Sequence, residues 1–185
     1  DLEELLGNVR LSIVHVLTIA TDLAAALASA RRQHITHGDV KARNVLVTTS
    51  GRVKLTDFGI SRRGSHAADD AREAGSASCV SPEQYRGLPI DVRSDLFALG
   101  CLMYRMLTGR APFVINGQLD VRALLEDMPT PVEELVADLP KGLSQLVASL
   151  LQKEAAQRPR DTQPVRSELR KILKELPLSA AGTLF

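Results

Sequence analysis

The chain has 185 residues, of which 44% are hydrophobic, and its 23 Lys plus Arg nearly balance 22 Asp plus Glu, leaving a formal net charge of +1. That length suffices for one core of ordinary domain size, and the balanced charge carries no footprint of a nucleic-acid partner or an acidic membrane. Cys79 and Cys101 stand far apart in sequence without ligand spacing, which reads as a reduced, cytoplasmic setting.

Apolar periodicity then predicts the elements in chain order. Ile13, Val16, Leu17, Ala20, Leu23, Ala24 and Leu27 recur at three- and four-residue steps, predicting a helix over 11–33 with one stripe on a core. Thr18, Thr21 and Asp22 interrupt this run, so no segment is expected to span a bilayer. Ile35, Thr36, His37 and Gly38 read as an extended turn that lifts Asp39 to a rim. Val45, Leu46, Val47 and Val53, Lys54, Leu55 predict two short strands around Thr49, Ser50 and Gly51. Residues 61–78 turn small, polar and charged, predicting a loop. Residues 95–107 are apolar on nearly every face apart from Arg105, the pattern of a helix at the centre of a domain. Further helices are expected over 121–126, 143–152 and 164–175. The last residues, 177–185, look like the start of a linker or tail.

Two motifs carry the chemistry. His37, Gly38, Asp39, Val40, Lys41, Ala42, Arg43, Asn44 places an acid five residues before an amide, and Asp57, Phe58, Gly59 follow thirteen residues after Asn44. One acid and two metal-seeking side chains around one pocket suit phosphoryl transfer, which needs in-line positioning and neutralised oxyanion charge more than a strong nucleophile.

These motifs resemble those of the eukaryotic-like Ser/Thr protein kinases, specifically of their C-terminal lobe. Ser81, Pro82 and Glu83 stand where that family has Ala-Pro-Glu, the run from Asp91 to Gly100 looks like the start of its central helix, and Arg158 with Pro159 fits its late Arg. Ser81 to Gln84 followed by Tyr85, Arg86 and Gly87 has a bacterial flavour. The resemblance implies an α+β fold, mainly α-helical, with short β-hairpins at the catalytic cleft. It assigns residues 1–176 to the C-terminal lobe. The Gly-rich loop, the strand Lys and the partner Glu of the N-terminal lobe are not found before His37, so that lobe and the hinge are expected to be absent from a chain that is a fragment of a longer protein.

The resemblance also implies roles. Asp39 would accept or orient the proton of the substrate hydroxyl, and Lys41 would approach the transferring phosphate, tipping acceptor type towards Ser and Thr. Asn44 and Asp57 would hold Mg²⁺ or Mn²⁺ on ATP. Leu46 would floor the adenine pocket above Leu102 and Met106. His37 would stack on Phe58, Asp95 would hold the backbone near His37, and Glu83 would pair with Arg158 as a buried bidentate ion pair. Ser76 occupies the place of the loop hydroxyl that bonds near the catalytic Asp and Lys. Gly38 replaces the Arg that usually precedes the catalytic Asp. Phosphorylation of Ser61, Ser65, Ser76 or Ser78 thereby loses its chief counter-charge, and activity independent of it is expected. Arg43, Arg62 and Arg63 remain as alternative partners. The expected partner is a protein substrate with a Ser or Thr acceptor, with no nucleic acid. Two other readings stay open: a pseudokinase or scaffold, and a small-molecule kinase of the aminoglycoside phosphotransferase kind, whose loop often also reads His-Gly-Asp.

Overall fold

Helices form more than half of the described residues in a computed structural model, which describes residues 1–48, 51–58 and 77–176. The first, α1 (Leu2–Asn8), was not foreseen from periodicity because it is only two turns long. Its stability comes from its ends: Asp1 Oδ1 accepts from the Glu4 amide at 2.9 Å, and Glu3 takes both arms of the Arg105 guanidinium at 2.7 and 2.6 Å. The polar exception in the central helix is therefore the clamp for α1.

Helix α2 (Ile13–Arg32) starts on Ser12, whose hydroxyl accepts from the His15 amide, and buries Val16, Leu17, Ile19, Ala20, Leu23, Ala24 and Leu27. Contrary to the expectation from Thr18, Thr21 and Asp22, this helix is long and apolar enough to cross a membrane by length and composition. Thr18 and Thr21 turn their hydroxyls back onto the carbonyls of Val14 and Leu17 at 2.8 and 2.7 Å, so neither presents an unsatisfied polar group. More than half of the apolar stretch is buried inside the protein, against helices α4 and α8 described below.

Strands β1 (Val45–Val47) and β2 (Val53–Leu55) pair antiparallel in the register Val45↔Leu55, Leu46↔Lys54, Val47↔Val53. The pleat alternates sides, so Val45 and Leu55 enter the core while Leu46 and Lys54 face outward. Helix α3 (Pro82–Tyr85) is a single turn, closed by a reciprocal capping box between Ser81 and Gln84 and started by Pro82.

Helix α4 (Val92–Thr108) is buried on nearly every face, begins on Asp91 and ends at Gly109 in the left-handed region, φ 74°. It runs three residues earlier than the apolar pattern indicated because Asp91 supplies the cap. Gly100 lets α7 (Leu143–Leu150) approach, since a Cβ there would lie 2.8 Å from Leu150 Cβ. A second hairpin, β3 (Val114–Ile115) and β4 (Gln118–Leu119), was missed although Asn116 and Gly117 both take positive φ, the signature of a type I′ turn. Short helices α5 (Val121–Leu125) and α6 (Val132–Leu135) lead to α7, and α8 (Thr162–Glu175) closes the core against α2 through Val165, Leu169 and Ile172.

Cys79 and Cys101, distant in sequence, are both buried where the turn Ala77–Cys79 packs on α4, close enough for their thiols to influence each other. Burial pushes the Cys101 thiol well above its ordinary value, so it is protonated and unreactive.

Candidate active site

The loop between α2 and β1 is tied to the centre of the fold at its backbone. Asp95, on the first turn of α4, accepts from the His37 amide at 2.9 Å and from the Gly38 amide at 2.8 Å. Burial raises the Asp95 carboxyl to about 6 against the lowering effect of those two amides. Gly38 takes φ +73°, and a Cβ on it would lie 3.1 Å from Ile90 Cδ1.

His37 is fully buried, and its two ring nitrogens join the Asp39 amide to the segment that follows β2. Nε2 lies 3.0 Å from the carbonyl of Thr56, which can only accept, so Nε2 carries the proton. Nδ1 is then the acceptor for the Asp39 amide at 3.2 Å. Burial holds the imidazole below its usual value, which keeps it neutral and consistent with both bonds. Its ring lies 4.6 Å from that of Phe58, tilted by 48°. One neutral ring thus ties the Asp39 amide to the Thr56 carbonyl.

Asp39, Lys41 and Asn44 converge. Lys41 Nζ is 2.9 Å from Asp39 Oδ2, and Asn44 Nδ2 donates to the Asp39 carbonyl at 2.9 Å and to Oδ2 at 3.1 Å. Asn44 itself is buried on the 3-10 turn Ala42–Asn44. Because its NH₂ group is spent on Asp39, the amide oxygen is the atom left to meet a cation. Thr56 brings the second motif alongside: its amide and its hydroxyl both donate to the Asn44 carbonyl, at 2.8 and 3.1 Å. The next residue, Asp57, is exposed and held at φ +56°, a left-handed conformation unusual for a residue with a side chain. Asn44 and Asp57 offer hard oxygens of the kind Mg²⁺ takes together with phosphates and water. Among the described residues no three His, Cys, Asp or Glu are grouped so as to hold a metal ion.

Leu46 sits at the middle of β1, 42% exposed, on the face opposite buried Val45; Leu102 and Met106 are buried in α4. Glu83 and Arg158 meet as a buried ion pair. Arg158 donates to both carboxylate oxygens at 2.7 and 2.8 Å and to the carbonyls of Arg93, Gln152 and Lys153, while its guanidinium lies 4.7 Å from the Phe97 ring centroid. Ser94 adds a hydroxyl to Glu83 at 2.7 Å. Burial would raise the Glu83 carboxyl, but Arg158 and Ser94 outweigh it and hold it below the ordinary range. Gly59 and Ser76, with the loop serines Ser61 and Ser65, lie outside the described residues.

Sequence reasoning missed Gln84, Thr56 and Ser94, whose hydrogen bonds tie the motif residues together. Only Gln84 left a local signal, as the third residue of a capping box begun by Ser81.

The site thus gathers a carboxylate on a backbone-anchored loop, a cation beside it, a buried amide and, next to Thr56, a second carboxylate. The family model of the protein kinase domain matches residues 1–169, and the chain belongs to that family. It is 35% identical over 174 residues to a probable serine/threonine-protein kinase of Corynebacterium efficiens, covering 89% of this chain and 26% of that protein. It is 34% identical over 178 residues to the probable serine/threonine-protein kinase PknB of Corynebacterium glutamicum, covering 91% and 27%. The serine/threonine-protein kinase PknB of Mycolicibacterium smegmatis is 39% identical over 102 residues, 53% of this chain and 16% of that protein. The chain spans about a quarter of the length of the first two of these relatives.

Proposed function

We propose that this chain is the C-terminal lobe of a bacterial Ser/Thr protein kinase that moves the γ-phosphate of ATP to Ser and Thr hydroxyls of proteins in the cytoplasm. The observation that carries the reading is the Asp39–Lys41–Asn44 cluster, closed against Asp57 by the two Thr56 bonds to Asn44. A Gly-rich loop and strand Lys supplied by an N-terminal lobe would complete the phosphate clamp.

In this reading Asp39, held at Oδ2 by Lys41 and Asn44, presents Oδ1 to the substrate hydroxyl and receives its proton. The hydroxyl oxygen bonds to the γ-phosphorus as the bond from that phosphorus to the bridging β,γ-oxygen breaks, with ADP as leaving group. Lys41 places its ammonium beside the transferring group. Asn44 and Asp57 would hold Mg²⁺, which supplies charge neutralisation on the phosphates when bound. Leu46 would meet the adenine ring from β1.

The test is transfer from labelled ATP with Mg²⁺ by the full-length protein beside its Asp39→Asn variant. Losing the acceptor should lower turnover by roughly a hundred- to ten-thousand-fold, with label stable as phosphoserine or phosphothreonine in the parent. A parent that binds ATP but transfers to no protein would overturn the reading in favour of a pseudokinase or a small-molecule kinase.

A further inference from the structure

Gln84 lies 46 residues from the catalytic loop in sequence, yet its side chain ends on it. The Nε2 of Gln84 donates to the carbonyl of Gly38 at 2.7 Å. Its Oε1 accepts from the Ser81 amide at 3.1 Å and the Ser81 hydroxyl at 2.9 Å. The orientation of the amide is forced at both ends. The Gly38 carbonyl can only accept and the Ser81 amide can only donate, so nitrogen must face the loop and oxygen the helix.

The Gly38 residue is then gripped on both sides. Asp95 takes its amide hydrogen at 2.8 Å, and Gln84 takes its carbonyl at 2.7 Å. That carbonyl belongs to the peptide whose nitrogen is Asp39, and Asp39 N–H points to His37 Nδ1 at 3.2 Å. Rotation of the Gly38–Asp39 peptide, which would swing the Asp39 carboxylate, must break the Gln84 bond. Gly38 has no side chain to restrain it and a backbone in the left-handed region that glycine leaves readily. A restraint from outside the loop is what such a position needs.

We infer that Gln84 is a positioning residue for phosphotransfer, locking the Gly38–Asp39 peptide to the turn that begins at Ser81; this rests on the kinase reading above. Through it, displacement of the Ser81–Gln84 turn is felt directly at Asp39.

Two variants of the full-length protein separate this role from a purely structural one. Gln84→Glu keeps an oxygen for Ser81 and remains a preferred capping-box residue, but has no hydrogen for Gly38. Gln84→Met fills similar space and loses both contacts. Expected for Gln84→Glu, whose new oxygen would face the Gly38 carbonyl, is a folded protein that melts slightly below the parent, with a kcat about tenfold lower, unchanged KM for ATP, and faster amide hydrogen exchange at Gly38 and Asp39. Gln84→Met should lose kcat similarly and melt lower as well. Unchanged kcat and exchange in Gln84→Glu, or a loss confined to KM, would overturn the positioning role while leaving the kinase reading standing. A parent without phosphotransfer, but with exchange that accelerates in Gln84→Glu, would overturn the kinase reading and keep the Gln84 clamp.

Discussion

Arg158 shows what one side chain can decide. Its nitrogens reach Glu83 twice and three backbone carbonyls, so a planar fork with several fixed donors is required and Lys cannot substitute. Arg158 is 4% exposed, and Glu83 is nearly as sheltered. Removing either partner leaves the other charge buried and alone. Arg158→Ala is expected to destabilise the protein by roughly 3–5 kcal/mol in denaturant titration. A shift under about 1 kcal/mol, the range of an exposed pair, would show that the buried geometry does not hold in solution.

Among elements, the close contact of α4 with α7 is one that the sequence left unmarked. Gly100 sits mid-helix, where glycine is ordinarily unfavourable relative to alanine. Propensity alone would favour Gly100→Ala. The geometry reverses the sign, because the new Cβ would meet Leu150 Cβ at 2.8 Å and Leu151 Cδ2 at 3.1 Å, and a Cβ, unlike the end of a flexible side chain, moves only with its backbone. Gly100→Ala should therefore lower stability by about 1–3 kcal/mol, read as a drop in the denaturation midpoint. An unchanged or higher midpoint would mean that the two helices part without penalty. The same scale explains α2, whose apolar length is that of a membrane span and whose burial against α4 and α8 is that of a core helix.

Across the whole molecule, acid stability follows from carboxylates whose folded environments differ in sign. Glu83, Glu3 and Asp91 are held below their ordinary values: Glu3 and Asp91 chiefly by hydrogen bonds from Arg105 and Arg93, and Glu83 by Arg158 and Ser94 against burial. Each contributes stability above its unfolded value that is lost as pH falls through the lower folded one. Asp95 runs the other way: burial raises it to about 6, so its contribution is largest at low pH and fades as pH rises towards that value. Stability should fall below about pH 4, the ordinary carboxylate range. A Glu83→Gln, Arg158→Met double variant should show a shallower acid limb in pH-dependent denaturation, whereas an identical slope would remove Glu83 from the account. Spacing and periodicity alone determined much of this protein: the helix expected over 11–33 and found at Ile13–Arg32, the two strands around Thr49 to Gly51, the central helix, and the order of Asp39, Lys41, Asn44 and Asp57. Those signals are local, because a helix period or a five-residue offset is written within a few turns of chain. The tertiary structure decided which distant groups meet: Asp95 with the amides of His37 and Gly38, Gln84 with the Gly38 carbonyl, and Cys79 with Cys101. Such pairings depend on how α3 and α4 pack against the loop, and a hydrogen bond across 46 or 57 residues leaves no period in the sequence to read.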